Sequence, residues 1–122
     1  LELSQDLAKM IYTFHQLSPA LFHGHLSSHN IFIQMHTKSR IKVRVGDLEL
    51  IPLLRYANKI YNYRSVNVWA SPESLKNQTK FQEPTAEQDS FSFGMILWEI
   101  WHEILPFDGD LKFCTLQIVE NN

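Results

Sequence analysis

A chain of 122 residues that is 44% hydrophobic and 20% charged carries enough apolar material for a packed core and too much for a disordered segment. Its formal net charge of −2, with no dense run of Lys and Arg, leaves nucleic acid out of the expected partners. A lone cysteine, Cys114, excludes an intrachain disulfide and fits a reducing compartment.

Glu2 and Asp6 stand where a leader would be basic and then apolar, and the longest apolar run, Gly94 to Trp98, falls far short of a membrane span. No membrane insertion and a cytoplasmic protein are therefore expected. Leu3, Leu7, Met10, Ile11, Phe14 and Leu17 recur at spacings of three and four and predict a helix over residues 4–17, capped by Ser4 and ended at Ser18-Pro19. A loop follows at His23-Gly24-His25-Leu26-Ser27-Ser28-His29-Asn30. Ile31–Met35 and Arg40–Val45 then read as a hairpin joined through His36–Ser39, with Ile41, Val43 and Val45 alternating against Lys42 and Arg44.

Gly46-Asp47-Leu48-Glu49 closes the hairpin, and residues 50–70 show no sustained period, so they are expected to form one long irregular segment. Ser71-Pro72-Glu73 opens a short helix through Lys76, with Pro in the first turn, and Asn77 to Ala86 reads as polar loop. Asp89 to Glu103 is apolar or aromatic at Phe91, Phe93, Met95, Ile96, Leu97, Trp98, Ile100 and Trp101, nearly all round the axis, and is expected to be a helix buried at the centre of the core. After Leu105-Pro106-Phe107, Asp110 caps a last helix with Leu111, Cys114, Ile118 and Val119 on one face.

Four motifs in this order carry a resemblance. His23, Leu26 and Asn30 stand at the spacing of the kinase catalytic loop H-R-D-L-x-x-x-N, and Asp47-Leu48-Glu49 lies where D-F-G belongs. Ser71-Pro72-Glu73 lies where A-P-E belongs, and Asp89-Ser90-Phe91-Ser92-Phe93-Gly94 with Trp98-Glu99 is similar to the start of the family's central helix. The chain is thus identified as similar to the C-terminal lobe of a divergent tyrosine-kinase-like member of the protein kinase superfamily. The resemblance implies an α+β, mainly α fold over 1–122: part of the large lobe, with a small β-hairpin and a buried central helix. The small lobe and the last helices are expected elsewhere in the same polypeptide, which would leave Glu73 without its Arg partner here.

In the family a loop Asp takes the substrate hydroxyl's proton while an Asp and an Asn hold Mg²⁺ on the nucleotide. By that resemblance His25 occupies the place of the base, Asn30 and Asp47 match the metal and nucleotide ligands, and Phe32 matches the residue beneath the adenine. His23, Leu48 and Asp89 match positions that tie the loop to the central helix. Gly24 replaces the loop Arg, Ser27 a phosphate-neutralising Lys, and Glu49 the small Gly of D-F-G, all changes that oppose catalysis. Loss of a positioned base alone costs about 10²- to 10⁴-fold.

The resemblance therefore implies a pseudokinase that binds protein partners or acts as an allosteric scaffold. ATP and Mg²⁺ retention stands beside the plainer reading, in which Asp47 ends a strand, Asn30 bonds loop backbone and Phe32 is an ordinary core residue. The alternative function is a divergent active Ser/Thr or Tyr kinase with His25 as base. His23, His25 and His29 also form an H-x-H-x-x-x-H spacing that presents imidazoles to Zn²⁺, though without an accompanying Cys or carboxylate. Tyr56, Tyr61, Tyr63 and Ser65 fall in the activation-loop region, where phosphorylation pairs with Arg; Arg55 and Arg64 are the available partners, and plain aromatic packing is the expected role.

Overall fold

The computed structural model describes residues 2–37, 40–61, 67–77 and 82–120. Tyr63, Arg64, Ser65 and the side chain of Tyr61 lie outside the described residues, as do Lys38 and Ser39 of the hairpin connection. Helix α1 spans Glu2–His15 and buries Leu7 and Ile11. It starts and ends two residues before the predicted bounds, so Ser4 lies inside the first turn rather than at the cap.

A 3₁₀ turn at Ser28–Asn30 leads into strands β1, Ile31–Thr37, and β2, Arg40–Val45. They pair antiparallel with Ile31 opposite Val45 and Ile33 opposite Val43, as the alternation predicts. Val43 is buried while Lys42 and Arg44 are exposed, and the Val43 N–H reaches Asp6 Oδ2 of α1 at 3.5 Å.

Residues 50–70 depart from expectation, because Leu50–Tyr61 form helix α2. The lack of a sustained period does not prevent a helix here, and Pro52 sits in the first turn, where an N–H has no intrahelical acceptor to lose. Helix α3, Pro72–Lys76, is capped by Ser71 as its sequence predicts.

Helix α4 spans Ala86–His102 and begins earlier than its apolar pattern. Thr85 Oγ1 accepts from the Gln88 N–H and Gln88 Oε1 accepts from the Thr85 N–H, each at 3.3 Å, a reciprocal cap lying upstream of the apolar run. The expectation that α4 is buried all round is corrected. Ile96 is 1% exposed, but its buried companions are Gln88, Asp89 and Ser92, whereas Trp101 is 69% exposed. One face packs on the core and the other is open.

Asp110 caps α5, Leu111–Thr115, by accepting from the N–H groups of Lys112 and Phe113, and a π-helical turn at Leu116–Glu120 follows. The core joins Leu7, Ile11, Leu26, Val43, Val68, Trp69, Leu75, Ile96 and Cys114. Burial pushes the Cys114 thiol up to about 11, consistent with an inert structural residue. Among the described residues no helix is long and apolar enough to cross a membrane.

Candidate functional site

Asp89, 2% exposed in the first turn of α4, holds the loop that precedes β1. Its carboxylate accepts the backbone N–H of His23 at 2.8 Å and that of Gly24 at 2.7 Å, and lies 3.0 Å from His15 Nε2 at the end of α1. A buried backbone donor such as the His23 N–H needs an acceptor, and a carboxylate supplies the strongest one. The predicted tie between loop and central helix is therefore present. His15, which also meets Phe22 edge to face, is a third member that sequence patterning does not single out.

Further bonds join the loop to itself and to the end of β2. His23 Nε2 lies 2.8 Å from the Gly46 carbonyl, and the His25 N–H points at His23 Nδ1 at 3.3 Å. Since a carbonyl only accepts, these bonds call for the Nε2–H tautomer of His23. Asn30, 2% exposed, donates from Nδ2 to the His25 carbonyl at 2.9 Å and accepts the Ser27 N–H on Oδ1 at 3.0 Å. The Gly46 N–H then donates to the Asn30 carbonyl at 2.8 Å, joining the end of β2 to the start of β1.

His25, Asn30, Asp47 and Phe32 are brought into one neighbourhood. His25 is partly buried, and its pKa is lowered from the ordinary 6.5, chiefly by desolvation and next by His23, with the Asp47 carboxylate acting in the opposite direction. Asp47 is exposed and takes the left-handed backbone at φ 62. Phe32 is 56% exposed, which removes its reading as an ordinary core residue. Its ring covers Gly46, where an added Cβ would lie 2.7 Å from Phe32 Cε2.

The lowered pKa sets a pH dependence. The fold favours neutral His25, so stability falls as pH drops below 6.5 and stops falling below the depressed native value. Above 6.5 this group adds no slope. Thermal midpoints between pH 8 and 5 are expected to decline less in His25→Asn than in the parent; equal declines would assign the acid sensitivity elsewhere.

The donors suit Mg²⁺ by type. Asn30 Oδ1 keeps one lone pair after its bond to Ser27, and Asp47 offers an exposed carboxylate; hard oxygen donors of this number leave the rest of an octahedron to water and phosphate. The three-histidine Zn²⁺ reading fails, because among the described residues no group of three His, Cys, Asp or Glu side chains converges on a metal position. His23 is spent on Gly46, while His29 meets the edge of Trp69 with ring centroids 5.0 Å apart.

A second network escaped sequence reasoning. Glu99 of α4 accepts Ser28 Oγ–H at 2.9 Å and Trp69 Nε1–H at 2.8 Å, and Ser92 Oγ donates to the Trp69 carbonyl at 2.9 Å. The loop is thus fixed to α4 at two levels, one at Asp89 and one at Glu99. Arg55, weighed as a phosphate partner, instead donates from Nε to Glu83 Oε1 and Oε2 at 2.9 and 3.0 Å and also engages that carboxylate through Nη2.

Comparison with known proteins agrees with this geometry. A family model described as protein tyrosine and serine/threonine kinase matches residues 1–110. The chain is 34% identical over 120 residues to "Probable serine/threonine-protein kinase roco8" of Dictyostelium discoideum, covering 94% of this chain and 6% of that protein. It is 33% identical over 104 residues to "Probable serine/threonine-protein kinase drkB" of the same organism, covering 85% and 14%. It is also 32% identical over 98 residues to "Inactive protein tyrosine kinase pTKL" of Plasmodium berghei (strain Anka), covering 66% and 7%. The chain therefore spans a small part of the length of these relatives.

Proposed function

Since this chain belongs to the protein tyrosine and serine/threonine kinase family, we propose that it is part of a kinase domain whose loop frame is kept and whose phosphoryl transfer is impaired, serving as a protein-binding or allosteric scaffold. One observation supports this above the rest. Asp89 and Asn30 satisfy the loop backbone on both sides of residue 25, yet the residue so positioned is a histidine with a lowered pKa. A frame built to aim a carboxylate aims a neutral imidazole.

In this reading Asn30 and Asp47 would hold Mg²⁺ and Phe32 would lie under the adenine of ATP. The metal would supply charge neutralisation on the phosphates. This chain's own residues contribute little beyond holding. Ser27 is buried and uncharged, Gly24 has no guanidinium, and exposed Glu49 adds negative charge near a phosphate. The same reading makes residues 1–122 a partial large lobe, places the protein in the cytoplasm, and gives it protein partners, the small lobe of its own polypeptide among them.

A second reading, a divergent active kinase, draws on the same histidine: a lowered pKa leaves His25 unprotonated at neutral pH and able to accept a proton. Phosphotransfer by the full-length protein separates the two. The parent is expected to match a no-enzyme background. His25→Asp is expected to recover less than the roughly 10²- to 10⁴-fold that a base supplies in a complete site, because Gly24, Ser27 and Glu49 remain. Appreciable parental activity that His25→Ala abolishes would establish the second reading.

A further inference from the structure

The pairing of β1 with β2 decides which backbone groups of the hairpin are used and which are left over. Residues opposite one another in an antiparallel pair alternate between exchanging hydrogen bonds and turning their N–H and C=O groups outward. The Gly46 N–H donates to the Asn30 carbonyl. In steps of two from there, Phe32 bonds with Arg44 and Gln34 with Lys42, whereas Ile31, Ile33 and Met35, opposite Val45, Val43 and Ile41, turn away from the partner strand. The contacts agree with this count. The Val43 N–H points outward and reaches Asp6 Oδ2, and the Ile31 N–H turns back to the Ser28 carbonyl.

The two outer edges of the hairpin are therefore unlike. That of β2 lies against α1, whose Asp6 takes the Val43 N–H. Along β1, among the described residues, no backbone group pairs with Ile33 or Met35 on the side away from β2, and their side chains are 57% and 64% exposed. The register shifts beyond Met35, so the regular open edge runs over residues 31–35, about 17 Å long. An open edge that carries apolar side chains is a template for another strand.

Charge selects the strand that fits. Lys42 and Arg44 are exposed on the face opposite to that of Ile33 and Met35, and among the described residues neither is in an ion pair. Arg44 Nε donates to Gln34 Oε1 at 3.0 Å, so its guanidinium leans over β1 toward the open edge. A strand with apolar residues on the Ile33 and Met35 side and acidic residues on the other meets both surfaces at its own period of two. A second copy of β1 brings no carboxylate, since residues 31–35 read Ile-Phe-Ile-Gln-Met.

We infer that the outer edge of β1 is a docking site for an extended segment of a partner protein, alternately apolar and acidic, which joins the hairpin as a further strand. This rests on the protein-binding reading given above and names a surface and a partner chemistry for it. The backbone ladder supplies the attachment, and Lys42 and Arg44 supply the choice of partner.

Fluorescence anisotropy of the full-length protein with a labelled, end-blocked peptide of alternating glutamate and valine tests the site. The peptide is expected to bind about tenfold more tightly than its lysine–valine counterpart. Lys42→Glu combined with Arg44→Glu, both changes of exposed side chains, is expected to reverse that order. N-methylation of the glutamate–valine peptide reads the backbone, because alternate amides of an added strand face β1 and solvent. Methylating one alternate set is expected to weaken binding about tenfold, and methylating the other set to leave it within about twofold.

No binding of the glutamate–valine peptide would overturn the proposal. Equal losses from the two methylated sets would do the same, by showing side-chain contact without a strand, as would a preference unmoved by the charge reversal. Dimerisation of the protein that Ile33→Lys abolishes, with no peptide bound, would assign the edge to a second copy instead. These outcomes are separate from phosphotransfer: parental activity ends the scaffold reading whatever the peptide does, and a silent edge leaves the impaired site as it is.

Discussion

Asp89→Ala is expected to lower the free energy of unfolding by about 3–5 kcal/mol, because it leaves the buried His23 amide and two part-buried donors without an acceptor. The His23 and Gly24 amides and His15 Nε2 all address this one carboxylate. Asp89→Asn keeps the shape but turns an NH₂ toward at least one donor, so a smaller loss is expected. His15→Ala, which removes one part-exposed partner and keeps the acceptor for both backbone amides, is expected to cost about 1 kcal/mol. Urea unfolding of the three variants checks the order. A loss for Asp89→Ala no larger than that for His15→Ala would mean that water or a rearranged loop satisfies the freed amides.

A second large effect belongs to the covered face of α4. Ile96→Ala is expected to cost about 2–5 kcal/mol, through lost burial and the cavity left behind. Trp101→Ala removes far more atoms but from a side chain already 69% exposed, and is expected to stay within about 0.5 kcal/mol of the parent. The contrast is the test: comparable losses would mean that Trp101 is covered in solution. Because domains of this kind are stable by only about 5–15 kcal/mol, Ile96→Ala removes a substantial share of the total.

Much of this was legible from residue order. The alternation of Ile41, Val43 and Val45 located the hairpin, Ser71-Pro72 and Asp110 marked helix starts, and the spacing of His23, Leu26 and Asn30 marked the loop. Helix α2 escapes pattern reading because residues 50–70 show no sustained apolar period, and only one of its described side chains, Ile51, is buried. Ile51 Cδ1 comes within 3.3 Å of where a Cβ at Gly24 would lie, a tertiary contact that no local pattern encodes. The early start of α4 was missed because its cap is polar and precedes the apolar run.

The depth of α4 was misjudged for a different reason. Composition tells how many apolar groups a helix carries but not which of them find a partner. Ser92 is buried because its hydroxyl has the Trp69 carbonyl, whereas Trp101 has no comparable cover. Gly24 in turn read as a deletion of charge, and only the proximity of Pro84 shows that its lack of a side chain is used.

The Glu99 network gives the molecule an optical handle. Its three tryptophans occupy different surroundings. Trp69 is buried, edge-on to His29 and bonded to Glu99; Trp98 is stacked on His102 with centroids 4.3 Å apart; Trp101 stands in solvent. Intrinsic emission is therefore a sum of a shielded and a wet component, and an ionic quencher such as iodide strips the wet one first. What remains comes mainly from Trp69, whose indole shares a carboxylate with Ser28 of the loop. The quencher-resistant fluorescence thus reads the state of the loop directly, with no label attached.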